Sequence, residues 1–272
     1  MRRLSIGIST CPNDTFAFHA LLTGAVRVDG VQLDFELGDV QELNQRAAAG
    51  DLDVAKISYA AALELAAQRV MLPAGSALGF GVGPVVLAGP HPHASPPRVL
   101  CPGGQTTATL LWRLFHPETV RLDQVVFSAI MPALRDGSAD LGVCIHEGRF
   151  THRDWNLELV EDLGATWERE TASPLPLGGI SVRRSLPAEV IAAVAEGVRE
   201  SVEWARANPD ACLATMRAHA QEHTDEVLWK HVELYVNDWT VDLGPVGRGA
   251  IAELARRARA VGLGQGESIV VD

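Results

Sequence analysis

Apolar positions follow two rhythms along the chain, short runs of period two and longer stretches of helical period, with turn residues between them. Leu4 to Ser9 reads as a strand. The turn CPND leads directly into Thr15 to Leu22, which has helical spacing and stops near Gly24. Val31, Leu33, Phe35 and Leu37 alternate with polar residues as a half-buried strand does, and Asp39 can cap the helix carrying Val40, Leu43 and Ala47, which Gly50 ends. Val54 to Ser58 is the next strand, followed by the alanine-rich helix YAAALELAAQ, and Gly83 to Ala88 is a further apolar strand. This βα alternation predicts a largely parallel sheet.

Between Gly89 and Pro97 the run GPHPHASPP holds four prolines, which leaves few backbone donors and suits a connector between lobes. A second βα series follows, with strands at Arg98 to Cys101, Val120 to Val126, Leu141 to His146 and Leu157 to Val160. Its helices are expected at Thr106 to Phe115 and Ala129 to Arg135, and the tract PLPLGGISV closes it. From Ser185 onward the pattern is helical. Pro187 sits in the first turn of a helix with Ile191, Val194, Val198 and Val202 on one face. Asn208 and Pro209 open the next, Thr224 a third, and Ile251, Leu254 and Ala258 mark the last. These helices have no strands of their own to cover, so they are expected on the first sheet. The predicted fold class is α/β, with two lobes, each a mostly parallel sheet flanked by helices, and a ligand cleft between them. Residues 1–89 and 178–272 form the first lobe and 90–177 the second.

The 272 residues, 47% of them hydrophobic, are enough for a substantial core. A formal net charge of -11 argues against a nucleic-acid or anionic-membrane partner, because both are bound by basic surface. A small anionic ligand must therefore meet locally placed donors. No long apolar run or cleavage pattern follows MRRLSIGIST, and no run reaches the ~20 residues of a membrane span, so a cytoplasmic location is expected. Cys11, Cys101, Cys144 and Cys212 form no CxxC unit and suit reduced thiols.

Three strand-to-helix turns carry similar equipment. CPND offers Asn13 and Asp14, AKIS places Lys56 and Ser58 two apart on one strand face, and PGGQTTA supplies Thr106 and Thr107 at a helix start. Helix N-termini expose unpaired N–H groups and a positive dipole end, so each turn is either an anion site or a plain cap, and Asn13, Asp14, Ser58 and Thr106 are all favoured cap types. Lys56 lies in an apolar strand and requires solvent or a partner. His146 stands where a strand runs out, the place where open α/β sheets collect ligands. Neither a Walker loop nor a GxGxxG fingerprint is present, so no nucleotide cofactor is expected. Cys144 and His146 share a strand face, but the spacing matches no zinc motif and no metal site is expected. Ser58 with His146 lacks a nucleophile elbow.

STCPNDTFAFHAL, AKISYAA, GFGVGPVV, PGGQTTA, IHEGRFT and PLPLGG, in this order from Ser9 to Gly179, resemble the 1,4-dihydroxy-6-naphthoate synthases of the futalosine route to menaquinone. The resemblance implies a periplasmic-binding-protein-like (type II) fold working in the cytoplasm without a cofactor. It implies a carbon-carbon lyase that converts cyclic dehypoxanthine futalosine to 1,4-dihydroxy-6-naphthoate. His146 would be the proton acceptor, and the segments Lys56, Ile57, Ser58 and Thr106, Thr107 would bind substrate. A histidine's ordinary pKa of about 6.5 suits proton transfer at neutral pH. Gln105 stands before the threonines where a histidine is also conceivable, so no second ring donor is assumed. Chorismate dehydratase of the same pathway and a noncatalytic small-anion binding protein are the alternatives; CPNDTF and PLPLGG look like the naphthoate synthases. Glu147 and Arg149 either join the site or brace the loop after His146, and their alternation with His146 favours bracing. Oligomeric state is not read from the sequence.

Overall fold

A computed structural model describes residues 1–91, 94–146, 148–220, 224–264 and 269–271. The chain opens with strand β1 (Arg2–Ser9) and two short helices, α1 (Pro12–Ala17) and α2 (His19–Thr23), the latter stopped by Gly24. β2 (Val31–Gly38), α3 (Val40–Ala49), β3 (Val54–Ser58) and α4 (Tyr59–Glu64) continue the alternation, and two three-residue strands follow, β4 (Arg69–Met71) and β5 (Ala77–Gly79). Next come β6 (Val85–Ala88), β7 (Arg98–Cys101), α5 (Thr107–Phe115), β8 (Arg121–Gln124), α6 (Ile130–Asp136) and β9 (Leu141–Cys144). They are followed by α7 (Gly148–Thr151), β10 (Glu158–Asp162) and α8 (Leu163–Thr171). The long β11 (Leu175–Arg183) precedes the helical tail of α9 (Ala188–Ala207), α10 (Pro209–His219), α11 (Asp225–Tyr235), α12 (Asp238–Val241) and α13 (Gly244–Ala260).

Among the described residues these strands form two sheets, a two-lobed α/β architecture. The first runs β2-β1-β3-β11-β4, with β5 also paired to β11; the second runs β10-β6-β9-β7-β8. Each is parallel at one side, where βα units build it, and antiparallel at the other. β11 lies antiparallel between β3 and β4, with Gly178 opposite Ser58. One face of the first sheet buries Ile6, Ile8 and Val54 against Val194, Val198 and Val202 of α9, as the helical stripe predicts. The opposite face packs Leu52, Ala55 and Ile57 with Ile251 and Leu254 of α13, and this cluster continues into the second lobe through Leu111, Val143 and Trp167. No helix among the described residues is long and apolar enough to cross a membrane.

Two features differ from the sequence expectation. β6 was expected with the first sheet, yet it pairs antiparallel with β9 and β10 of the second. An apolar run buried on both faces fits either sheet, and its partner is chosen by tertiary packing rather than by periodicity. The proline-rich stretch at 89–97 therefore joins β6 to β7 inside one sheet and is not the passage between lobes; Pro92 and His93 within it lie outside the described residues. The chain leaves the first sheet through 80–84 and returns through 172–174, so Leu175 and Pro176 also pair in the first sheet, with a register shift before Gly178.

The outgoing passage is pinned closely. Leu163 N–H donates to Pro84 O, and Arg149 donates to Gly83 O and to Asp162. A methyl group on Gly164 would stand 1.8 Å from the Val82 carbonyl oxygen, so only glycine lets the start of α8 approach this strand of backbone. Gly164→Ala is expected to lower stability by about 1 to 3 kcal/mol, as overpacking against an unyielding partner does. Gly249→Ala, on an exposed turn of α13 with nothing within 4 Å, is expected to raise it by about 0.5 to 1 kcal/mol. Urea unfolding of both variants checks this, and a neutral Gly164→Ala would contradict the described packing.

Candidate active site

Residues at or just beyond the carboxyl ends of β1, β3, β7 and β9 converge on one half-open cavity of about 110 Å³ between the lobes. From the first lobe it is lined by Ser9, Cys11, Asn13, Asp14, Lys56 and Ser58. The second lobe supplies Thr106, Thr107, Ala108, Ile145 and His146. Asn13, Asp14, Lys56, Ser58, Thr106, Thr107 and His146, all singled out from the sequence, meet there, while the Ile57 side chain is completely buried in the core. Within β3 side chains alternate, so Lys56 and Ser58 face the cavity and Ile57 faces away.

Lys56 finds its partner in Asp14. Its Nζ donates to Asp14 Oδ1 at 2.6 Å and to Gly75 O at 3.3 Å, with the two side chains 7% and 5% exposed. Asp14 Oδ2 accepts from Ser9 Oγ at 2.6 Å, and Asn13 Nδ2 donates to Oδ1 at 3.0 Å. The lysine's charge is thus matched at contact by a carboxylate, and Asp14, a cap type in the sequence, serves as the counter-ion.

The other turn donors are largely engaged within the protein. Ser58 Oγ caps α4 through Ala61 N–H and donates to Gln105 O across the cleft. Thr106 caps α5 through Thr109 N–H and donates to Gly103 O. Thr107 Oγ1 donates to Leu177 O at 2.7 Å and accepts from Ala60 N–H. Cap and cavity wall are therefore the same residues. The first-turn N–H groups of Thr107 and Ala108 have no carbonyl partner in helical geometry, which makes the N-terminus of α5 the natural place for a carboxylate on this cavity.

His146 stands two residues beyond β9 with φ 55°, in the left-handed region that costs an L-residue roughly 1 to 2 kcal/mol. Its Nδ1 lies 3.1 Å from Cys11 Sγ, and the Phe127 ring meets it edge-on at 4.8 Å. It also borders a second, smaller hollow that reaches Asp39 and His231. Arg149 braces the loop, as its spacing suggested, by holding Gly83 and Asp162; Glu147 lies outside the described residues. Cys101 and Cys212 are core thiols, pushed by burial up to about 12 and about 11. No group of three or more His, Cys, Asp or Glu among the described residues could hold a metal ion.

Several lining residues carried no site signal in the sequence. Ser9, Cys11 and Ala108 belong to the turns already noted but without an assigned part, and Tyr235 sits in the buried stripe of α11 yet reaches the cavity from its last turn.

The family model described as "Menaquinone biosynthesis" matches residues 4–260. A 1,4-dihydroxy-6-naphtoate synthase of Thermus thermophilus is 46% identical over 264 residues, covering 97% of this chain and 96% of its own. A second so named, from Streptomyces coelicolor, is 43% identical over 96% of this chain and 94% of its own. Among solved structures, a protein from Archaeoglobus fulgidus superposes with TM-score 0.90 at 31% identity, over 96% of this chain and 98% of its own. A Candida albicans protein described as having the generic periplasmic binding protein fold superposes with TM-score 0.68 at 9% identity, over 100% and 99%, a likeness of fold alone.

If the Lys56–Asp14 pair is held as described, removing one member strands the other charge in a buried place. Lys56→Met is expected to cost about 3 to 5 kcal/mol, and the double variant Lys56→Met with Asp14→Asn to regain most of that loss. Denaturant unfolding of the two single variants and the double gives the coupling directly; additive losses would show that the groups do not act as a pair.

Proposed function

The chain belongs to the menaquinone biosynthesis family as an enzyme of that pathway, and we propose that it cleaves cyclic dehypoxanthine futalosine to 1,4-dihydroxy-6-naphthoate with His146 as general base. The observation that carries this reading is the meeting of His146 with the Lys56–Asp14 pair and the α5 N-terminus around one cavity between the lobes. The substrate carboxylate is held at the Thr107 and Ala108 N–H groups. The fused ring lies along Val40, Ala77, Ile145, Leu177 and Tyr235, an apolar wall suited to an aromatic product. The self-neutralised Lys56–Asp14 pair offers hydrogen bonds to hydroxyl or carbonyl oxygens rather than a free charge.

In this reading His146 accepts a hydroxyl proton from the sugar-derived part as that oxygen becomes a carbonyl, the carbon-carbon bond breaks with its electron pair passing into the ring system that becomes aromatic, and the carbonyl-bearing fragment leaves from the side of the smaller hollow. Contact between the lobes keeps water from the reacting carbons. The names of both curated relatives favour this chemistry over dehydration of chorismate, and a small anionic substrate in the cytoplasm belongs to the same reading.

Purified protein incubated separately with cyclic dehypoxanthine futalosine and with chorismate tests the assignment by product analysis. With the former, His146→Ala is expected to keep substrate binding and lose at least ~100-fold in turnover, the low end of general-base catalysis. Near-normal turnover in that variant removes His146 from the role, and conversion of chorismate alone replaces the reading.

A further inference from the structure

Cys11 ends the turn after β1 in the first lobe, and His146 follows β9 in the second, so their 3.1 Å contact exists only where the lobes meet. That separation leaves no room for a substrate atom between sulfur and Nδ1. The ring nitrogen that meets substrate is therefore Nε2. For Nε2 to accept a proton, the neutral imidazole must carry its hydrogen on Nδ1, and the Cys11 sulfur is then the acceptor facing that hydrogen.

From this geometry we propose that Cys11 is a positioning residue for His146, holding the Nδ1–H form of the ring and completing that hold on lobe closure. The inference rests on the reading of His146 as base. It assigns to sulfur the part that a carboxylate or carbonyl plays behind other catalytic histidines, where the group behind the ring fixes tautomer and orientation. Sulfur is a weak acceptor, so its hold is softer than a carboxylate's. The cavity-facing, half-exposed position of Cys11 sets it apart from Cys101 and Cys212, which burial keeps out of any such role.

Two measurements test the assignment. In 15N-histidine-labelled protein saturated with 1,4-dihydroxy-6-naphthoate, the His146 signal, identified by its loss in His146→Gln, is expected to show a protonated Nδ1. In Cys11→Ala it is expected to move toward the Nε2–H form. In steady-state kinetics Cys11→Ala is expected to lower kcat about tenfold with KM little changed, a fraction of what the base itself contributes. Cys11→Ser, which keeps an acceptor at the helix cap, is expected to restore most of that loss and so separates positioning from misfolding. A bare Nδ1 in the wild type, or an unchanged kcat in Cys11→Ala while His146→Ala is inactive, overturns the Cys11 role and leaves the base standing. Full turnover in His146→Ala removes both.

Discussion

The antiparallel insertion of β11 between β3 and β4 is the constraint on which the rest of the structure depends. It is where the chain, having built a second lobe, is returned to the first, and it fixes the register of that return residue by residue. With Gly178 opposite Ser58, Leu177 is delivered to the Thr107 hydroxyl, and the N-terminus of α5 is drawn against the end of β3. The interlobe hydrogen bonds of Ser58 and Gln105 follow from the same register. A slip of one residue would reverse the faces of β11 and remove Ile180 and Val182 from the core they share with α9.

Much of this was legible in the sequence because βα units announce themselves twice, once in the hydrophobic rhythm and once in the capping residue. Asp39, Ser58 and Thr106 are all found capping, and the stripe of α9 faces the sheet as its spacing requires. The three-residue strands β4 and β5 are too short to show a period, and β6 is apolar on both faces, so its partner was open. Ile57 is legible for another reason: strict alternation along β3 places its side chain opposite those of Lys56 and Ser58, in the core.

The site was legible as a set of turns but not as a set of pairs. Asp14 lies 42 residues from Lys56, and Cys11 lies 135 from His146. Periodicity carries no information about which strand ends become neighbours, because sheet order is decided by packing of whole layers. The lysine's need for a partner could be argued from burial alone; the identity of the partner required the topology.

The pairing of Lys56 with Asp14 also bears on how the cavity resists intruders. A lone buried cation would collect phosphate, chloride and every passing metabolite carboxylate. A contact pair presents a short dipole whose field falls off within a few ångströms, so shape and hydrogen-bond pattern decide admission in place of charge. Inhibitors aimed at this wall gain more from a well-placed hydroxyl bridging ammonium and carboxylate than from another acid.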